Sequence, residues 1–205
     1  MLLKIFRKVR NEVNLYLRRR KYNGRKLETD TYTIISSNCI AGSIYKDFGL
    51  PFNSPTIGLF ICGNDFVKFA SNLRYYLSLP VSEGECSKWL GKTSYPLGII
   101  DDVELHFLHY DTFEEARCKW ERRALKVNFD RVYLIMTDRD FTTYENIVNF
   151  SKIKAHKKLS FVSNNYQEIP GTIFCRRYEG DSQVGVLPLF MEYSDYFDVV
   201  EWLDS

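Results

Sequence analysis

Thr31-Tyr32-Thr33-Ile34-Ile35-Ser36-Ser37-Asn38-Cys39-Ile40-Ala41-Gly42 passes from a β-rich run into small residues and a helical pattern. β-Branched and aromatic residues favour an extended chain. Ser and Asn turn their side chains onto nearby backbone and end it. In an open α/β sheet the carboxyl end of such a strand is where ligands collect, because the N–H groups of the next helix point into the same crevice. The stretch therefore predicts an α/β fold and singles out Cys39 at the strand-to-helix turn.

Working outward, residues 40–48 read as a short helix stopped by Gly49. The apolar run Ile57-Gly58-Leu59-Phe60-Ile61-Cys62 reads as a buried strand, and Asn64 or Asp65 as the cap of a helix over 66–78 with Phe69, Leu73 and Leu77 inward. Residues 80–96 are loop-rich. Leu97 to Ile100 and Val103 to Tyr110 read as strands joined through Asp101-Asp102. Thr112 and Glu115 match a capping box, with Asp111 and Glu114 as the alternative pair, for a helix to about Leu125. A buried strand over 131–136 ends in Thr137-Asp138-Arg139-Asp140. A helix over 143–152, strands near 159–163 and 172–176, and an amphipathic helix near 194–203 complete the pattern. Strands alternating with helices predict a layered, Rossmann-like, mainly parallel sheet with flanking helices, edged by an antiparallel hairpin at 97–110.

A chain of 205 residues without a Pro/Gly/Ser-rich linker predicts one α/β domain over 27–205 behind a basic N-terminal helix over 1–26. Hydrophobic residues at 45% and aromatics at 16% exclude a disordered chain and point to a soluble globular one. Ten of the 28 basic residues and one of the 26 acidic ones fall in 1–26, so the tail carries a net +9 and the body −7. Leu2, Leu3, Ile5, Phe6, Val9, Val13, Tyr16 and Leu17 recur at helical spacing. Such a helix either packs on the body or lies on an anionic membrane surface. No groove-reading or base-stacking module accompanies it, so nucleic acid is not expected as a partner. No apolar run reaches the length of a membrane span, and Lys4, Arg7, Lys8 and Arg10 interrupt any signal-peptide core. Five scattered cysteines without a CxxC pair predict neither a metal site nor a disulfide framework, and fit a reducing cytoplasm. The expected location is cytoplasmic, with peripheral attachment at the inner face of the membrane through 1–26 as the alternative to a helix packed on the body.

A thiol where a strand breaks into a helix sits near the positive helix end, which favours the thiolate and makes Cys39 the candidate nucleophile. A free cysteine buried at a strand end is the alternative. Backbone amides around Asn38 and Ile40, with the Asn38 side chain, are candidate oxyanion donors. Ser36 and Ser37 are alternative nucleophiles or substrate contacts, or simply caps of the turn. His106 and His109 are three apart, so on one strand they face opposite ways and only one reaches the crevice as general base. A hydrogen-bonded structural histidine is the competing fate of each, and His156 reads as a solvated loop residue. Asp138 is a candidate to orient a histidine or bind a sugar hydroxyl; Arg139 and Asp140 are candidate substrate contacts, or the group is a salt-bridged turn. Lys119, Arg122 and Arg123 are candidates to hold a phosphorylated cofactor, although cations are favoured at a helix C-terminus anyway; Trp120 reads as core. The common dinucleotide, P-loop, serine-hydrolase and zinc-protease motifs are missing.

The hinge Ile34 to Gly42, the segment Leu50 to Phe60, His106-Phe107-Leu108-His109-Tyr110, Glu114-Glu115-Ala116 with Lys119 to Arg123, and Met136 to Asp140 together resemble the bacterial domain-of-unknown-function family 1919 from about residue 30 to 165. Members are commonly labelled exopolysaccharide or capsule biosynthesis proteins, sometimes acetyltransferases. The resemblance implies a Ser-Asn-Asn-Cys hinge followed by an aromatic or aliphatic residue and two glycines, from which Ser37 and Ala41 depart. It implies a role in making or decorating cell-surface polysaccharide. The leading expectation is acyl transfer from acetyl-coenzyme A, as a co-substrate and not a resident cofactor, to a sugar or nucleotide-sugar precursor. The alternatives are a glycosyltransferase-like enzyme and a non-catalytic assembly factor of a polysaccharide machinery.

Overall fold

The computed structural model describes the backbone of residues 2–22 and 25–205 and, within them, all side chains but those of residues 2–8, 10 and 19. In chain order the elements are α1 (Leu2–Tyr22), β1 (Thr33–Ser36), α2 (Ile40–Phe48), α3 (Gly63–Ser71), α4 (Leu73–Ser78), β2 (Ser82–Gly84), β3 (Leu97–Ile100), β4 (Val103–His106) and α5 (Phe113–Ala124). They continue with β5 (Val132–Thr137), α6 (Tyr144–Ser151), β6 (Lys157–Val162), β7 (Thr172–Phe174), a 3₁₀ segment at Leu189–Asp195 and α7 (Val199–Asp204).

The main sheet runs β1-β5-β6-β7, every pair parallel. All of β5 is buried, as a strand paired on both edges and covered on both faces must be. Alternation divides its side chains between two cores. Leu134 and Met136 join Ile35, Phe66, Phe69, Trp120 and Phe150 under α3 to α6. Tyr133 and Ile135 join Ile34, Ile40, Ile44, Tyr22, Met191 and Val199 under α1, α2, the 3₁₀ segment and α7. The result is a layered α/β fold with a four-stranded parallel sheet flanked by helices and a separate three-stranded antiparallel sheet, β2-β3-β4.

Several boundaries differ from expectation. The strand beginning at Val103 stops at His106, and 107–110 is a turn. The β3/β4 hairpin pairs with β2 instead of edging the parallel sheet. The apolar run 57–62 is no strand: it turns through Gly58 at φ 81°, and only Phe60 makes a bridge, to His106. Helix α3 starts at Gly63 behind Cys62, and Asp65 lies buried in its first turn instead of capping it. The helix breaks at Asn72 before α4. The expected 194–203 helix is a 3₁₀ segment followed by α7, which Asp198 caps by accepting from Glu201 N–H at 3.0 Å. Thr112 caps α5 through Glu115 N–H as expected, and Thr143 and Asn146 form a full capping box on α6.

Candidate functional site

Neighbouring strands β1 and β5 send the chain to opposite faces of the sheet. After β1, α2 sets Ile40, Ala41 and Ile44 into one core; after β5, α6 sets Phe150 into the other. Adjacent parallel strands whose connections part in this way leave a crevice outside their carboxyl ends. A cleft of about 580 Å³ occupies it.

Cys39, Gly42, Ser43 and Lys46 line the cleft at i, i+3, i+4 and i+7 of one helical face. Cys39 is the N-cap of α2 and half-buried, its Sγ 4.0 Å from the Leu59 carbonyl. Asn38 also lines the cleft; its Nδ2 donates to Thr137 Oγ1 at 2.8 Å and lies 3.4 Å from Asp140 Oδ2. The amides at the start of α2 are engaged: Ile40 N–H faces Asn38 Oδ1 at 3.4 Å and Ala41 N–H donates to Ser36 Oγ at 3.2 Å. The expected backbone oxyanion pocket is thus filled by local caps, and the Asn38 amide at the lining is held firmly by Thr137 and only loosely by Asp140. Ser36 and Ser37 are buried beneath the turn. Ser36 N–H donates to Thr56 Oγ1, and Ser37 Oγ accepts from Thr137 N–H, so both stitch the floor together and neither lines the cleft.

From β5 come Thr137, Arg139 and Asp140. Asp140 and Phe141 take left-handed φ values of 57° and 61°, a strained pair at a site-forming loop. Asp140 O accepts from Gly63 N–H at 2.9 Å. A Cβ on Gly63 would stand 2.5 Å from Thr142 Cα, so only glycine lets the loop lie so close. Burial raises the Asp140 carboxyl above its ordinary value, more than Arg139 and the Asn38 amide lower it. Arg139 Nη1 donates to the Val184 carbonyl at 3.0 Å. Asp138 does not line the cleft. Its Oδ2 accepts from Ser163 N–H and Oγ at 2.6 and 2.8 Å, and its Oδ1 from Val184 N–H at 2.7 Å, which makes it a clamp between strand ends. Residues 185–188 form the facing wall.

Of the two histidines, His109 lines the cleft and is exposed. Its turn is held by His109 N–H to Gly58 O at 3.0 Å and Tyr110 Oη to Ile57 O at 2.6 Å. Arg123 braces the same turn from α5, donating to Tyr110 Oη at 2.6 Å. Arg123 is therefore a buried support, Arg122 is exposed on α5, and Lys119 pairs with Glu115; none of the three lines the cleft. His106 is fully buried, stacked on Phe60 with ring centroids 4.4 Å apart and 3.8 Å from Cys62 Sγ. Burial lowers its pKa despite the pull of Glu104 and Asp65, and pushes the Cys62 thiol up to about 12. This buried pair is outside the cleft, and burial disfavours the charged forms that acid-base work needs.

Lys46, Thr137, Leu108 and residues 185–188 also line the cleft without having been singled out from sequence. Lys46 was detectable, two helical turns after Cys39; the wall at 185–188 carries no local signal. Among the described residues no group of three or more His, Cys, Asp or Glu could hold a metal ion, and no helix is long and apolar enough to cross a membrane.

The segment from Asn38 to Pro188 lies within residues 10–204, which match the family described as "Domain of unknown function (DUF1919)". A Haemophilus influenzae protein named "Uncharacterized protein" is 33% identical over 185 residues, covering 88% of this chain and 87% of the relative. With a match over nearly its whole length, the chain belongs to the DUF1919 family.

Proposed function

We propose that the cleft is an acyl-transfer site in which Cys39 carries the acyl group and His109 moves the proton, acting on a sugar precursor of cell-surface polysaccharide with acetyl-coenzyme A as donor. The observation that supports this reading is the presence of a half-buried thiol at a helix N-terminus and an exposed imidazole on the lining of one cleft. Amide dipoles at a helix start favour negative charge, and a neighbouring base activates a thiol.

In the first half-reaction the Cys39 thiolate attacks the donor's carbonyl carbon, the C–S bond to coenzyme A breaks, and the departing thiolate takes a proton from the His109 imidazolium. In the second, a sugar hydroxyl attacks the Cys39 thioester and gives its proton to the imidazole, and the C–S bond to Cys39 breaks. The sugar ester leaves, and the thiolate and imidazolium return. Asn38 Nδ2 is the side-chain donor for the oxyanion, positioned by Thr137. Lys46 and Arg139 supply positive charge at the lining for donor or acceptor phosphates, in place of the cations on α5.

Intact-mass spectrometry after incubation with acetyl-coenzyme A should show an acetyl adduct that Cys39→Ala abolishes. His109→Ala should slow transfer roughly a hundredfold or more. Full transfer activity in Cys39→Ala would remove the covalent mechanism. One observation favours a second reading. The half-buried Asp140, its carboxyl raised by burial, suits a base that deprotonates an acceptor hydroxyl in glycosyl transfer. Thermal stabilisation by nucleotide-sugars and indifference to coenzyme A would select it.

A further inference from the structure

Among the described side chains of α1, the apolar residues at helical spacing divide: Leu17 packs on the core while Val9 and Tyr16 face outward. The helix is tied to the body by polar contacts, only the first of them partly buried. Asn14 Nδ2 donates to Asp47 Oδ1 at 3.1 Å, Asn11 Oδ1 accepts from Lys46 Nζ, and Lys21 pairs with Asp195 at 3.6 Å. Among the described side chains of the helix, Leu17 and Tyr22 join the core beneath. On the other side Val9 is 53% and Tyr16 63% exposed, seven residues apart and so nearly in line along the helix. Val13 between them is half-buried, and Arg20, four beyond Tyr16, is exposed. Leu2, Ile5 and Phe6 occupy positions at helical spacing from Val9. A helix that only packed on the body would have brought Val9 and Tyr16 round to it as well.

We infer that this outward stripe of α1 is a membrane-docking surface whose partner is an anionic lipid bilayer. Charge argues for lipid over a second copy of the chain. The net +9 of residues 1–26 is matched to acidic headgroups, and two copies of the same stripe would bring two such tails together. An aromatic side chain with a polar tip at Tyr16, followed by a cation at Arg20, is the arrangement that settles at the boundary between acyl chains and headgroups. The helix that carries the stripe stands close to the cleft on its body-facing side: Asn11 meets Lys46, which lines it, and α1 packs on the 3₁₀ segment that follows the 185–188 wall.

The test is co-sedimentation of the full chain with vesicles of phosphatidylcholine alone or mixed with phosphatidylglycerol. Binding is expected only to the mixed vesicles and should weaken as salt is raised. The Val9→Glu, Tyr16→Glu double variant should lose roughly tenfold or more in affinity with its thermal midpoint unchanged, because both side chains are exposed, while Tyr16→Trp should still bind. Equal binding to both vesicles, binding untouched by the double variant, or no binding at all would overturn the inference. So would a concentration-dependent dimer in light scattering that the double variant dissolves, which would make a second copy the occupant of the stripe.

Discussion

Asp138 and Asp140 are two residues apart and have opposite environments. The Asp138 carboxylate accepts three hydrogen bonds, two from backbone amides, and holds the ends of β5 and β6 to Val184. Asp138→Ala strands those donors, and hydrogen bonds to a charged acceptor contribute roughly 1.5–3 kcal/mol each, so chemical denaturation should register a loss of about 3 kcal/mol or more. Asp140 is the reverse case. It sits in a left-handed backbone and is desolvated, with its carboxyl raised. A raised folded value means that the charged form is penalised by folding, so the penalty is present at neutral pH and relieved as pH falls through the folded value. Asp140→Asn should therefore raise stability at neutral pH while lowering ligand binding or turnover in the cleft; a variant that is both less stable and fully active would contradict this. The sequence showed two carboxylates after a buried strand but not which would be the clamp, because that depends on Ser163 and Val184, remote in the chain.

Among the elements, the strand-to-helix turn after β1 was legible from residues 31–42 alone, as was β5, since both cores demand apolar residues on each face of a central strand. The apolar run 57–62 was misread because continuous hydrophobicity does not distinguish a strand from a buried turn. Gly58 at φ 81° and the packing of its neighbours decided it. The histidine parity argument assumed one strand through both residues, but β4 ends at His106, so His109 reaches the cleft from a turn and not from a strand face. The closest approach of backbone to backbone at the cleft is Gly63 against the 140–142 loop. Gly63→Ala cannot be accommodated without moving Thr142, and overpacking of this kind costs about 1–3 kcal/mol. A thermal-melt loss of that size, accompanied by weakened ligand binding at Asp140, is the expected outcome; loss of stability with the cleft unaffected would show that the loop moves independently.

For the whole molecule, the antiparallel sheet meets the 57–62 run and α3 around a buried ionisable patch. His106 bridges to Phe60, stacks on it, approaches Tyr95 and Cys62, and lies 3.4 Å from Glu104 Oε2. Asp65, which bonds Lys88 and Trp89, completes the surroundings. Since burial lowers the folded value of His106 below the ordinary 6.5, the unfolded chain takes up the proton first. Stability contributed by the neutral imidazole is intact above about pH 6.5 and declines below it until the folded value is passed. Denaturation curves on either side of pH 6.5 should show that decline, and His106→Gln should flatten it relative to the parent; an unchanged slope would mean that other groups set it. The clamp at Val184 has a separate consequence. Asp138 takes that residue's N–H and Arg139 its carbonyl, so the chain entering the 185–188 wall is anchored on both sides of one Cα. That side of the cleft is a doorpost fixed to the sheet itself, and the turn that carries the proposed proton carrier is tied down in its own way through Gly58 and Ile57, so the mouth has two braced jambs.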